Sequence, residues 1–343
     1  MPLPPAWELI ISADAAQDDC QPLADRCGAK VLSLTGPQGP AVARNRAAAM
    51  ARGDVLVFID ADVVTSRAAL DRVSRRFREE PNIDAVFGAY DENPADPGFV
   101  SQYKNLAHSF IHRSSTTVAQ TFWAGFGAVR RNAFVAIGGF DERFARPCVE
   151  DIDLGYRLTA RGFRIQLDPS LLACHLKRWT IGSMVVSDIR DRGIPWTQLI
   201  LRGGRFHSDL NFKSSYRACV FLAYLTMLLA VVALDQPRVL LAIPVLIATL
   251  VFLSRRYYQY FYTQRGLWFA VRVFPLHYIY HLYNGLSFVA GTLLYGLTRW
   301  TRLKISGALP LDAWNAGDKY HANAASFRPA RTATTANQNA VGA

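Results

Sequence analysis

The chain divides into two hydrophobic regimes. Up to about residue 175, short apolar runs alternate with stretches whose apolar residues recur every three or four positions. "WELIIS" reads as a strand and "AAQDDCQPLADRCG" as a helix closed by Gly28. "KVLSL" is a second strand, and "GPAVARNRAAAMARG" a helix with Pro40 early and Gly53 at its end. "DVLVFID" is continuously apolar until its aspartate. "SRAALDRVSRRFREE" sets Ala69, Val73 and Phe77 beneath a basic face, and "IDAVFGAY" is strand again. This alternation predicts an α/β domain with a mostly parallel sheet, whose ligands bind beyond the carboxyl ends of the strands.

The second regime is longer-wavelength. Residues 218–234 carry no charge, "DQPR" interrupts, and 239–254 are again uncharged. Each run falls a little short of the roughly 20 residues a bilayer core asks for, but flanking residues extend both. A third segment, 273–297, is long enough to span, provided His277, His281 and Asn284 face protein or the interface. The pattern predicts a catalytic domain over 1–180, amphipathic interface helices over 181–215, about three transmembrane helices over 216–300 and a disordered polar tail over 310–343. Lys213, Arg217, Arg255, Arg256 and Arg265 place the α/β half in the cytoplasm, as part of a multi-pass protein of the inner cell membrane. Arg299, Arg302 and Lys304 conflict with three spans, so either the charge rule fails there or 266–282 is an interfacial element.

Composition narrows the partners. A formal net charge of +11 over 343 residues points to an anionic partner: nucleic acid, an anionic membrane face or a phosphorylated substrate. No nucleic-acid partner is expected, because the basic residues cluster near the apolar segments rather than on an aromatic strand face. No GxGxxG follows a strand, which disfavours a dinucleotide-dependent oxidoreductase. The five cysteines form neither a CxxC pair nor a ligand spacing, so they read as reduced thiols. No signal peptide is expected, since "MPLPPAWELI" lacks a basic start and a long apolar core.

Two acidic groups carry the candidate chemistry. Asp60 and Asp62 close the run "VLVFIDADVV"; in an extended chain both point to one side, and like charges there need a cation or a donor between them. Some ninety residues on stands Glu150-Asp151-Ile152-Asp153, at the start of a helix whose dipole also favours acidic residues.

"GPAVARNRAAAMARGDVLVFIDADVV" and "GGFDERFARPCVEDIDLGYRLTARGFRI" resemble, in order and spacing, the central blocks of family 2 glycosyltransferases, over roughly residues 7–180. The resemblance implies a Rossmann-like, glycosyltransferase A-type α/β fold and inverting transfer from a nucleotide-sugar donor. It places Asp60 towards the nucleotide ribose, Asp62 on a divalent cation (Mg²⁺ or Mn²⁺), and Asp14, Arg44 and Asn45 with the donor. Asp151 becomes the base that takes the acceptor proton, with Glu150 beside it, while Asp153 serves the helix dipole or pairs with Arg157. His175 falls near the metal or diphosphate. Trp123, Gly125 and Gly127 fall on the acceptor side, and Lys177, Arg178 and Trp179 near phosphate and the membrane interface. A cation at Asp62 would neutralise charge growing on the diphosphate leaving group.

The resemblance departs at the start. Relatives open with a strand that precedes "WELIIS", and they pair aspartates where this chain has Ala13 and Asp14. A start placed too late, or a degraded nucleotide pocket, would each account for that. Two readings follow: a membrane-bound transferase acting on a lipid or envelope-polysaccharide acceptor, or a non-catalytic relative serving as a membrane scaffold.

Overall fold

A computed structural model describes residues 7–203 and 214–301. A parallel two-stranded ribbon comes first: β1 (Ile10–Asp14) and β2 (Lys30–Leu34), joined by α1 (Gln21–Cys27). Gly28 closes α1 in the left-handed conformation expected of a helix C-terminus. α2 (Pro40–Met50) begins with its proline and holds β1 through Ser12 Oγ, which donates to the Ala43 carbonyl at 3.1 Å. In α3 (Arg67–Glu79), capped by Ser66, the buried residues are Ala69, Val73 and Phe77, the face the spacing predicts.

The main sheet runs β3 (Val55–Ile59), β7 (Phe126–Arg130), β5 (Ala85–Tyr90), β8 (Ile165–His175), β4 (Val63–Thr65), with β6 (Val118–Ala119) also on β8. It is mixed, which corrects the expected mostly parallel sheet. β7 enters between β3 and β5 and runs against both; only β1–β2 and β5–β8 pair in parallel. The alternation of helix and strand holds for β3, β5 and β8, which share one direction. β7, β4 and β6 are return strands, reached through loops and helices that bring them back antiparallel. The expectation that survives is the location of the site. Ile59, Tyr90 and His175 end the three co-directional strands, β7 begins opposite Ile59, and α6 (Glu150–Ala160) starts nearby.

Helices complete the molecule: α4 (Phe99–Arg113), α5 (Arg131–Ala136), α7 (Ile181–Val186), a π-helical turn (Ser187–Gly193), α8 (Ile194–Gly203), α9 (Ser214–Val232), α10 (Ala242–Leu253) and α11 (Arg255–Thr301). α11 is broken at Gly266, whose φ of 82° suits glycine. Tyr257, Phe261, Val273 and Leu276 of α11 pack with Tyr103 and Leu106 of α4 and with Trp179 in one apolar cluster. α8, expected among the interface helices, packs inside the protein. Trp196 to Ile200 are all buried, with Trp196 Nε1 donating to Tyr156 Oη at 3.0 Å. It is wedged between α6 and α11, where a Cβ on Gly291 would stand 2.7 Å from Thr197.

Among the described residues, one helix, Ser214–Val232, is long and apolar enough to cross a membrane. Pro237–Leu253 and the helix from Arg255 pass only as a pair bent by 69°. The described residues thus offer one span, or two if the bent pair is one span, beside the expectation of about three. His277 and His281 do face protein, both buried. The five cysteines are free. The disordered tail expected over 310–343, with Arg302, Lys304 and Lys213, lies outside the described residues.

Candidate active site

The two aspartates of the β3 end do not share a side. The chain turns immediately after β3, with Val63 N–H donating to the Asp60 carbonyl at 3.0 Å, and the carboxylates diverge to different partners. Asp60 Oδ1 accepts from Arg44 Nη2 at 2.6 Å. Asp62 Oδ2 lies 3.2 Å from His175 Nε2. Like-charge repulsion is thereby answered twice, once by each partner.

Arg44, from α2, joins the two acidic motifs. Its Nη1 donates to Glu150 Oε1 at 2.8 Å while Nη2 holds Asp60, and the guanidinium lies 5.3 Å from the Phe140 ring centroid. Burial opposes the charge, but Asp60 and Glu150 outweigh it and push the arginine further up. Glu150 is buried and doubly held, since Oε2 accepts from Cys148 N–H at 2.8 Å. Asp151, next along α6, is different. Its oxygens accept only backbone N–H groups, from Ala124 at 3.2 Å and Ile152 at 2.8 Å. Burial, then the Glu150 charge, raise its carboxyl to about 7. A carboxylate with that affinity for a proton suits a general base near neutral pH. Asp153 pairs with Arg157 at 2.7 Å, fully buried, and has a structural role.

His175 ends β8 within a built setting. Nδ1 stands 2.9 Å from Asn105 Oδ1 of α4. With Nδ1–H given to that oxygen, Nε2 presents a lone pair to the Asp62 carboxylate, so a proton or a cation must stand between them. A histidine oriented by an amide oxygen on its far nitrogen is the usual arrangement of a metal ligand. The imidazole hydrogen bond, acting against burial, holds the half-exposed Asp62 carboxyl below its ordinary range. The described residues contain no group of three or more His, Cys, Asp or Glu placed to hold a metal. Asp62 and His175 fit a hard divalent cation that keeps waters and takes its remaining ligands from phosphate.

Residues 3–138 match the family described as glycosyl transferase family 2. Over that stretch the chain is similar to family 2 glycosyl transferases. It is 30% identical over 163 residues to the pre-mycofactocin glycosyltransferase of Mycobacterium tuberculosis, covering 43% of this chain and 32% of that protein. It is 24% identical over 233 residues to the poly-β-1,6-N-acetyl-D-glucosamine synthase of Staphylococcus aureus, covering 64% of this chain and 53% of that one. The chain thus spans between a third and about half of these relatives' lengths. Among solved structures it is similar to the mannosyltransferase PcManGT of Pyrobaculum calidifontis, bound to GDP-Man and Mn²⁺, with a TM-score of 0.44 and 16% identity over 87% of this chain and 79% of that one.

Other expected residues of the glycosyl transferase domain take different places. Asp14 accepts the Gln38 and Gly39 backbone N–H groups, each at 2.7 Å, and so anchors the entry to α2. Asn45 is turned away from the site: its amide donates to the Phe140 carbonyl at 2.8 Å and to Glu142, and its oxygen accepts Phe140 N–H. Both its N–H groups and one acceptor site of its oxygen serve the loop before α6. Trp123 is half-buried, edge-on to Tyr90 at 4.7 Å. Gly125 and Gly127 are close-approach glycines, but what approaches is protein. A Cβ on Gly125 would stand 2.6 Å from the Trp123 ring, and one on Gly127 2.4 Å from the Trp123 carbonyl. Trp179 is no interfacial residue; it is buried in the cluster joining α4 and α11. Lys177 lies 4.4 Å over its ring, and Arg178 is exposed with Asp96 at 3.8 Å.

Sequence reasoning missed Tyr90 and the α4 residues. Tyr90 is stacked between His175, at 4.8 Å, and His108, at 5.9 Å, both nearly coplanar with it. Asn105, His108 and His112 recur at helical spacing on the one face of α4 that meets the sheet. That polar stripe on a buried face was the available signal.

Proposed function

We propose that the chain is an inverting glycosyltransferase that moves a sugar from a nucleotide-sugar donor to a lipid or envelope-polysaccharide acceptor. The observation that carries this reading is Arg44, which joins Asp60 to Glu150 across about ninety residues of sequence and sets Asp151 beside them. Asp151 takes the proton of the attacking hydroxyl, oriented by the Ala124 and Ile152 N–H groups. Glu150 raises its basicity and is itself held in place by Arg44. Asp60 lies towards the donor. Asp62 and His175 would hold a divalent cation, which when bound supplies charge neutralisation for the departing diphosphate.

Membrane attachment is part of the proposal. α9 exposes Phe221, Leu228 and Val231, and α11 exposes Leu286, Val289 and Leu293, a larger apolar surface than a protein leaves to water without a reason. Arg265 donates to the Glu92 carbonyl at 2.6 Å and to Gln102, which ties the break in α11 to the α/β domain. The basic ends of these helices, Arg217, Arg255, Arg256 and Arg265, support the cytoplasmic side of an inner membrane for the catalytic domain.

A second reading, a non-catalytic membrane scaffold, draws on the ribbon of β1 and β2, which is hydrogen-bonded to no strand of the main sheet. The deciding experiment titrates the purified, detergent-solubilised chain with UDP, GDP and their sugar conjugates, with and without Mn²⁺, by calorimetry. Metal-dependent binding of one donor is expected, lost in Asp62→Asn. Absence of any donor binding would favour the scaffold.

A further inference from the structure

Tyr90 ends β5 and is 6% exposed, with its ring held on three sides. His175 stacks on it at 4.8 Å and His108 at 5.9 Å, each 13° from coplanar, and Trp123 meets it edge-on at 4.7 Å. Each of these walls is itself fixed. His175 is oriented by Asn105 at 2.9 Å. Trp123 precedes Ala124, whose N–H is given to Asp151. His108 Nε2 lies 2.6 Å from Nη1 of Arg192, a residue of the π-helical turn. That turn is pinned where Asp188 pairs with Lys104 and accepts from Tyr283 Oη at 2.7 Å. The Tyr90 ring is therefore locked between the cation pair and the loop that orients the base.

Its hydroxyl is left over. Among the described residues it makes no hydrogen bond. Burial, opposed by Arg192 and reinforced by Asp60, Asp62 and Asp151, pushes the phenol above its ordinary range, so the charge of all three site carboxylates reaches a group that is a donor. A buried donor among acceptors, bonded to none, lacks a partner. Carboxylates accept and the phenol O–H donates, so the group that fits between them must do both, as a hydroxyl does. A phosphate would add like charge to three carboxylates, and its place is with a cation at Asp62 and His175. The attacking hydroxyl is a poor match too, because a donor on its oxygen would hold back the electron pair with which it attacks. Between a diphosphate at Asp62 and the base at Asp151 stands the ring of the transferred sugar, and its hydroxyls have the required chemistry.

We propose that Tyr90 is a specificity-determining residue of the donor site, its phenol O–H donating to a hydroxyl of the transferred sugar. This rests on the glycosyltransferase reading, and it names a contact for the sugar, the part of the donor to which that reading gives no residue.

The test compares Tyr90→Phe with the unaltered whole chain, in detergent with Mn²⁺, by calorimetry on UDP, GDP, UDP-glucose, UDP-N-acetylglucosamine and GDP-mannose. The substitution keeps the ring and its stacking and removes the hydroxyl alone. The sugar nucleotide that the unaltered chain binds should bind the variant about 3–10-fold more weakly, with the affinity for its free nucleotide unchanged. Among monodeoxy forms of that sugar nucleotide, one should bind both proteins alike, because the partner of the phenol is then already missing. Equal weakening of nucleotide and sugar nucleotide, or weakening of neither, would overturn the proposal. Loss of the Mn²⁺ thermal shift in the variant would make Tyr90 a positioning residue of the cation site, which overturns it as well. Failure of the transferase reading shows separately, as absent sugar-nucleotide binding by the unaltered chain, and takes the proposal with it.

Discussion

Arg44 and Lys104 are the buried cations of two different regions, and their surroundings differ in what is left over. Around Arg44, one cation is shared by two carboxylates and a third, Asp151, remains close by, held among the described residues by backbone donors. Around Lys104, a single carboxylate is fully satisfied and a cation, Arg192, remains. One region keeps spare basicity beside an opening at the strand ends. The other keeps spare positive charge beside an apolar interior. The contrast shows how one chain can keep a proton acceptor and a cation without an ion pair among the described residues in separate regions, since each is locked by its own buried pair.

The sharpest way to break the comparison is Asp151→Asn. Transfer should fall by about 10²–10⁴-fold with donor affinity retained. In the unaltered protein the rate should drop as the pH falls below about 7, because the base must be unprotonated, and that limb should vanish from the residual activity of the variant. Removing a partly buried charge next to Glu150 should also raise the Tm of the variant, by about 1–3 °C. A pH profile unchanged by the substitution would exclude Asp151 as the base.

Next in size are the cations. Arg44→Gln leaves Asp60 and Glu150 facing each other and should cost about 3–5 kcal/mol, measured by chemical denaturation. Lys104→Met leaves Asp188 with Tyr283 alone and should cost nearer the lower end, about 3 kcal/mol. Equal and small losses from both would show that neither pair holds its region together. Asp62→Asn should abolish the thermal shift produced by Mn²⁺ and lower transfer by about 10²-fold, a smaller effect than loss of the base. Gly125→Ala should sharpen the packing side of the picture: the new methyl meets the Trp123 ring and should cost about 1–3 kcal/mol. If stability is unchanged but donor turnover falls, the glycine serves a ligand after all.

The elements themselves were largely legible in the chain. α3 shows its buried face in its spacing, α1 its end in Gly28, α2 its start in Pro40, and β3 its burial in an unbroken apolar run. The acidic motifs were legible because their residue types and separation resemble a family pattern. Strand direction was not. Whether β7 returns against β3 is a property of the connection, and the same apolar run serves either orientation. Nor could periodicity show that Asn45 and Trp179 face inwards, since a polar or aromatic residue on a helix or strand end fits two environments equally well. By itself the sequence determined where carboxylates, helix starts and uncharged segments stand along the chain, because local propensity and hydrophobic period act within a few residues. The tertiary structure alone decided that Asp60 and Asp62 part to Arg44 and His175, and that His108, Tyr90 and His175 stack. Those outcomes depend on charges and rings brought together from distant positions, and only packing sets such distances.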